Sequence, residues 1–256
     1  MKKKTAEKFI DLLDIMQKLR NECPWDKIQT PESLRKYIIE ETYEVIETID
    51  RKKWSALCEE LGDLLLQIVF QSVIAQEKGR FDISDVLTHI NNKLIKRHPH
   101  VFDAKGVLSA KEVENNWENI KANSGKRQSL LSGIPGSAPA LLSAQRLQEK
   151  AARVGFDWPD MEGVMEKFYE EFKEFKEAIN KKNKKKIFEE MGDMLFTLVN
   201  LSRFLDITAE DALRLVNKKF RTRFKHIEKH YNYDYQKLKS ASLEELDSLW
   251  EDSKRG

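Results

Sequence analysis

The feature that most limits what this chain can fold into is an internal repeat. Glu40-Glu41-Thr42-Tyr43-Glu44 returns 130 positions later as Glu170-Glu171-Phe172-Lys173-Glu174. At the same offset Glu59-Glu60-Leu61-Gly62-Asp63 returns as Glu189-Glu190-Met191-Gly192-Asp193, so the two acidic blocks are equally spaced in each half. Further out the register slips slightly, as loops permit. Trp25-Asp26 corresponds to Phe156-Asp157, Asn91 to Arg97 corresponds to Asn217 to Arg223, and Trp117 to Lys121 corresponds to Trp250 to Lys254. Matches that follow one another in the same order in both halves mark a tandem duplication. Ala122 to Pro139 is rich in Ser, Gly and Pro and reads as the linker. The boundary is expected near Ser132, giving domains 1–131 and 132–256.

Each half reads as helices. Leu34, Ile38, Val45 and Ile49 recur at helical spacing after Thr30-Pro31-Glu32, where a capping residue and an early Pro suggest a helix start. Trp54, Leu57, Leu61, Leu64, Ile68 and Ala75 form a second apolar stripe. The connection Arg51 to Lys53 is short, so these two helices should run antiparallel. A third helix is expected from Ile83 to Arg97, stopped by His98-Pro99. The second half repeats the scheme with Val164 to Ile179, Ile187 to Phe204 and Thr208 to Tyr231. Only 10 Gly and 6 Pro occur and 34% of residues are charged, which suits helices better than sheets. The expected fold is all-α, with two helical bundles in series.

Composition also excludes classes of function. A formal net charge of +2, with basic residues balanced by 43 acidic ones, gives no field for nucleic acid or an anionic membrane. No stretch is long and apolar enough to span a bilayer, and the charged segment Thr5 to Arg20 does not read as a signal peptide. Cys23 and Cys58 have neither disulfide nor zinc spacing. The expectation is a cytoplasmic protein. Lys181, Lys182 and Lys184 to Lys186 read as a solvated helix end or loop.

The acidic blocks carry the chemistry. Residues three apart on a helix share a face, so Glu41 and Glu44 point one way, as do Glu60 and Asp63 on the neighbouring helix. Glu41 borders the stripe of Leu34, Ile38 and Val45, and Glu171 borders that of Val164, Phe168 and Phe175. Antiparallel packing would gather four carboxylates at the edge of each core. Like charges in a partly desolvated place need a cation. A set of oxygen ligands without His or Cys favours Mg²⁺, with Mn²⁺ as substitute, over zinc. A carboxylate di-iron bundle would instead want Glu-x-x-His, which neither block has. Gly62 and Gly192 cost helix stability, and their recurrence suggests close backbone approach or room for a ligand.

At these residues the chain resembles the MazG family of all-α nucleoside triphosphate pyrophosphohydrolases. The resemblance rests on Glu171-x-x-Glu174 and Glu190-x-x-Asp193, on Cys23-Pro24-Trp25-Asp26, on Arg97 to Phe102, and on Pro139 to Trp158. It implies Mg²⁺-dependent conversion of NTPs to NMP and pyrophosphate over a broad NTP and dNTP range, by a homodimer. Glu171, Glu174, Glu190 and Asp193 would be the metal and catalytic residues, with Glu41, Glu44, Glu60 and Asp63 as a second candidate set. By the same resemblance Lys167, Lys186, Glu189, Lys219, Arg223 and Trp250 belong to the nucleotide site. Trp250 could stack on a base or equally anchor the last helix. The residues do not choose which group orients the attacking water. The first half keeps Lys93, Arg97 and Trp117, but has Tyr37 and Ala56 where the second has Lys167 and Lys186. The second half is therefore expected to be the main active site. A dUTPase or a phosphoribosyl-ATP pyrophosphohydrolase would share the carboxylate pattern, and the full-length tandem layout separates them; an inactive helical interaction protein is a further alternative, against which the intact carboxylates of both halves argue.

Overall fold

The computed structural model describes residues 2–103, 109, 112, 113 and 129–255. The Trp117 to Lys121 motif and residues 122–128 of the linker lie outside them. Among the described residues there is no strand. The chain divides into two compact units, Met1–Ser124 and Gly125–Gly256, and the expected joint at Ser132 falls just inside the second.

Unit 1 holds α1 (Lys2–Glu22), α2 (Pro24–Lys27), α3 (Arg35–Asp50), α4 (Trp54–Glu77), α5 (Ile83–Arg97) and α6 (Pro99–Phe102). The antiparallel hairpin of α3 and α4 is its centre, and α1 lies against α4. Met16, Leu34, Val69, Phe70, Val73 and Ile74 are buried together, with Phe9, Leu12 and Tyr37 packed around them. Full burial of one such side chain contributes about 1.5–3 kcal/mol. Arg20 ties the layers together. Its guanidinium grips Glu77 through two bonds of 2.8 and 2.9 Å, donates to the carbonyl oxygen of Asp26, and lies 5.9 Å over the Phe70 ring.

Unit 2 holds α7 (Ala140–Ala152), α8 (Met161–Asn180), α9 (Lys184–Phe204), α10 (Ala209–His230), α11 (Tyr235–Ser240) and α12 (Leu243–Asp252). The hairpin of α8 and α9 is again the centre, and α7 packs on α9 and α10. Val164, Ala178, Val199 and Ile227 are buried. Gln148 fastens α7 to α9, its Nε2 donating to the Phe196 carbonyl at 2.8 Å.

The duplication extends to the backbone of the hairpin turns. Lys52 (φ 54°) and Lys182 (φ 52°) both adopt the left-handed conformation at equivalent positions. In each turn the following amide reaches back five residues, Lys53 to the Thr48 carbonyl and Asn183 to the Ala178 carbonyl, both at 3.1 Å. Such a bond closes a helix end whose carbonyls would otherwise lack partners.

Several helix starts differ from expectation. Residues 31–34 form a turn, so α3 begins at Arg35 rather than after Thr30. The Thr30 and Ser33 hydroxyls accept from each other's backbone amides, at 3.2 and 2.9 Å, which satisfies the turn as it stands. In unit 2, Asp160 caps α8 by accepting from the amides of Glu162 and Gly163, so this helix starts earlier. Gly163 is needed there, because an added Cβ would sit 2.5 Å from Trp158 Cδ1. The lysine run is split as expected between a loop and a helix end, with Lys181 and Lys182 in the turn. Asn183 Oδ1 accepts from the Lys186 amide at 3.2 Å, making Lys184 to Lys186 the first turn of α9.

Candidate active site

The antiparallel hairpins bring acidic residues together in both units. In unit 2, carboxylate oxygens of Glu171, Glu174 and Glu190 lie within 4.8 Å of one another. Glu190 and Glu171 are 1% and 7% exposed, deep for carboxylates, while Glu174 is exposed. In unit 1, Glu41, Glu60 and Asp63 form the corresponding group within the same 4.8 Å limit, all three half-buried. Each unit thus gathers three of its four expected acids, and the one left outside differs. It is Asp193 in unit 2 and Glu44 in unit 1.

Lysine explains the difference. Lys186 Nζ forms an ion pair with Glu190 on its own helix and lies 3.9 Å from Glu174 on α8, which draws Glu174 into the group. Lys167 Nζ is 2.7 Å from Glu171 and 3.0 Å from Glu170. Unit 1 has Tyr37 and Ala56 at these places, and Tyr37 turns to an edge contact with Trp25, ring centroids 5.9 Å apart.

The electrostatics follow. Desolvation, then the charges of Asp63 and Glu44, pushes the Glu41 carboxyl above the usual carboxylate range. Glu60 is raised by desolvation and by Glu44 and Asp63. In unit 2 the hydrogen bond from Lys186 instead holds Glu190 below its ordinary value. Lys186 is raised by Glu190, and Lys167 is raised strongly by Glu171 and Glu170. Near a protein surface, two like charges about 4 Å apart repel by about 4 kcal/mol. Unit 2 offsets that repulsion internally; unit 1 does not.

Other expected residues stand elsewhere. Glu189 faces outward, with Lys185 Nζ 3.8 Å away. Arg223 on α10 lies 5.5 Å over the Trp250 ring, and Trp250 packs on Phe220 with ring centroids 5.1 Å apart. In this arrangement Trp250 anchors α12 on α10. Lys219 is exposed one turn before Arg223, and Lys93 and Arg97 sit near the end of α5. Gly62 and Gly192 serve no close approach, because a Cβ at either would meet nothing within 4 Å. A cleft of about 240 Å³ opens beside the unit 2 cluster, lined by Glu170, Lys173, Glu174, Glu177, Lys181 and Lys186.

The donor set fits a hard divalent cation, since carboxylate oxygens from two facing helices converge without nitrogen or sulfur ligands. What sequence reasoning missed is that Lys167 and Lys186 contact the acids themselves. The signal was available in the four-residue spacings Lys167 to Glu171 and Lys186 to Glu190, which place each pair on one helix face.

Fold and site together define a class of all-α proteins built from tandem helical hairpins, each carrying a carboxylate cluster. The family model of the MazG nucleotide pyrophosphohydrolase domain matches residues 29–102 and 160–228, which takes in both hairpins. The chain is 50% identical to the "nucleoside triphosphate pyrophosphohydrolase/pyrophosphatase MazG" of Thermotoga maritima, over 97% of this chain and 96% of that protein. It is 43% identical to the nucleoside triphosphate pyrophosphohydrolase of Escherichia coli (strain K12), over 95% of this chain and 96% of the relative. A solved "mazG-related protein from Thermotoga maritima" aligns with 44% of this chain and 97% of its own, at 27% identity and a TM-score of 0.40. The chain belongs to the MazG nucleotide pyrophosphohydrolase family.

Proposed function

We propose that this protein is a Mg²⁺-dependent nucleoside triphosphate pyrophosphohydrolase, converting NTP and water to NMP and pyrophosphate, with its main active site in unit 2. The observation that carries the reading is the triad of buried Glu171 and Glu190 with exposed Glu174, met by the ammonium groups of Lys167 and Lys186. The names of the two full-length relatives support the reaction. Release of pyrophosphate requires water to attack the α-phosphorus. Bound Mg²⁺ would supply charge neutralisation on the phosphates and activation of that water. Glu171, Glu174 and Glu190 would hold the ion, with Asp193 one turn along the same face of α9. Lys167 and Lys186 would meet the triphosphate.

The cleft beside Lys186 is smaller than the pockets of about 300–1,000 Å³ that enclose whole ligands. It suits the phosphate end of a nucleotide and leaves the base weakly enclosed, in keeping with a broad NTP and dNTP range. Trp250 supports the nucleotide side by holding Arg223, and Lys219 shares that face of α10. Glu41, Glu44, Glu60 and Asp63 form a second site, weaker in hydrolysis because it lacks the two lysines.

The working form is a homodimer. Ile39, Ile49, Leu61, Leu65 and Ile68 are exposed, and so are their equivalents Tyr169, Ile179, Met191, Leu195 and Leu198. Each hairpin thus presents an apolar outer face of the kind a helical bundle covers, and a second copy supplies matching faces. The two free cysteines fit a reducing compartment, the cytoplasm.

The test is to incubate the protein with Mg²⁺ and each common NTP and dNTP, separating NMP, NDP, phosphate and pyrophosphate. NMP and pyrophosphate should appear, falling at least about a hundredfold in Glu190→Gln, the size expected when a group acting on the transition state is lost. Glu60→Gln should keep most of the activity. Loss confined to Glu60→Gln would reverse the assignment of units, and no turnover of any nucleotide would overturn the reaction.

A further inference from the structure

Lys167 and Lys186 have two sets of anions to serve, the acids they touch now and the phosphates of the proposed substrate. Between them, the two ammonium groups contact all three acids of the unit 2 triad. Exposed pairs at this spacing contribute little to stability. These pairs are different, because they end on acids that are 7% and 1% exposed. Lys186 is also held where the helix disfavours it. It stands in the first turn of α9 behind Lys184 and Lys185, where the helix dipole opposes a cation. The helix alone gives no reason for a lysine there; the acids of the triad give one.

We infer that Lys167 and Lys186 are resident counter-cations of the unit 2 triad, displaced when a divalent ion enters and thereby released to the triphosphate. This rests on the reading of the triad as a Mg²⁺ site. Three carboxylates and two ammonium groups leave one net negative charge. Exchanging both lysines for one divalent ion leaves the same net charge, so the exchange is electrically neutral. Keeping all three cations would crowd like charges around carboxylate oxygens that lie within 4.8 Å of one another. Metal alone must therefore compete with lysine, and nucleotide alone meets lysines already engaged. Each ligand relieves the obstacle to the other, and the linkage is reciprocal. Unit 1, with Tyr37 and Ala56, lacks the device.

The experiment uses the full chain carrying Glu41→Gln and Glu60→Gln, which silences the unit 1 cluster. Mn²⁺ is titrated calorimetrically, alone and with an NTP analogue whose α,β-bridge cannot be cleaved. Lys186→Gln should bind Mn²⁺ alone about tenfold more tightly, within the usual range of coupling between linked sites. Its gain in Mn²⁺ affinity from the analogue should shrink, and Lys186→Arg, which keeps the charge, should behave like the parent. In EDTA the thermal midpoint of Lys186→Gln should fall, and Mn²⁺ should restore it. If Glu190→Gln abolishes Mn²⁺ binding while Lys186→Gln leaves it unchanged or weaker, the counter-cation inference is overturned and the metal site stands. Were Mn²⁺ binding absent from the parent, or indifferent to Glu190→Gln, the metal reading and the inference would fall together.

Discussion

The two hairpins are copies of one repeat, and two of the positions where they differ, Lys167 and Lys186 against Tyr37 and Ala56, invert their electrostatics. In the hairpin of α8 and α9, Lys186 holds Glu190 below its ordinary pKa and ties Glu174 to the triad. In the hairpin of α3 and α4, Glu41 and Glu60 sit among other acids and are pushed upward. One cluster is neutralised from within, and the other depends on something outside itself. An acidic cluster on a duplicated scaffold is therefore not one site made twice. Its behaviour is set by the residues four positions before the acids, where one copy has lysines and the other Tyr37 and Ala56.

The largest test of this contrast is the response to metal. A ligand present at about a hundred times its Kd stabilises the state it binds by about 2.7 kcal/mol. Saturating Mg²⁺ should thus slow hydrogen exchange in α3 and α4 more than in α8 and α9, where the lysines already supply part of that stabilisation. Ala56→Lys should narrow the gap, because a lysine there stands four residues before Glu60 as Lys186 does before Glu190. Equal protection in both hairpins, with or without Ala56→Lys, would break the comparison.

A smaller effect should be equal in the two units. Mid-helix Gly is about 0.5–1 kcal/mol worse than Ala, and both Gly62 and Gly192 face open space. Gly62→Ala and Gly192→Ala should each raise stability by about that amount in chemical denaturation. A loss of stability at either position would show a contact that the free hairpin lacks. Should Gly192→Ala stabilise the fold yet weaken nucleotide binding, the open space belongs to the ligand.

The smallest effect is in pH, and its sign differs between the units. Glu41 and Glu60 have folded-state pKa values above the ordinary 4.5, so the metal-free folded state binds more protons than the unfolded chain. Their contribution to stability therefore improves as pH falls from neutral towards 4.5 and is lost as pH rises. Glu190 is lowered, so its contribution is present above the ordinary value and is lost on acidification. In EDTA, Glu41→Gln/Glu60→Gln should be more stable than the parent at neutral pH, with the advantage shrinking on mild acidification. Thermal midpoints measured across that interval check it, and a pH-independent difference would refute the assignment.

Much of the hairpin framework could be read before any coordinates. The 130-residue offset, the apolar stripes and the short turns specify antiparallel pairs, and α5 runs from Ile83 to Arg97 as its periodicity indicates. The helices that cover the hairpins were harder to read. α1 is charged along its length, and its anchoring through Arg20 to Glu77 and the Asp26 carbonyl joins residues distant in sequence. Likewise, nothing local to Trp250 says that Arg223 will lie across its ring.

By itself the sequence determined the duplication, the helical class, the hairpins and the faces on which the acids stand. These depend on local periodicity, and helical geometry converts spacing directly into direction. Tertiary structure alone decided which three acids of each four converge, that Lys186 bridges from α9 to Glu174 on α8, and how deeply Glu190 and Glu171 are buried. The same Lys-to-acid spacing on an isolated helix would form a solvated pair of little consequence. Packing the second helix against it removes water from the acids, and that desolvation makes the choice of lysine or alanine four residues earlier decisive.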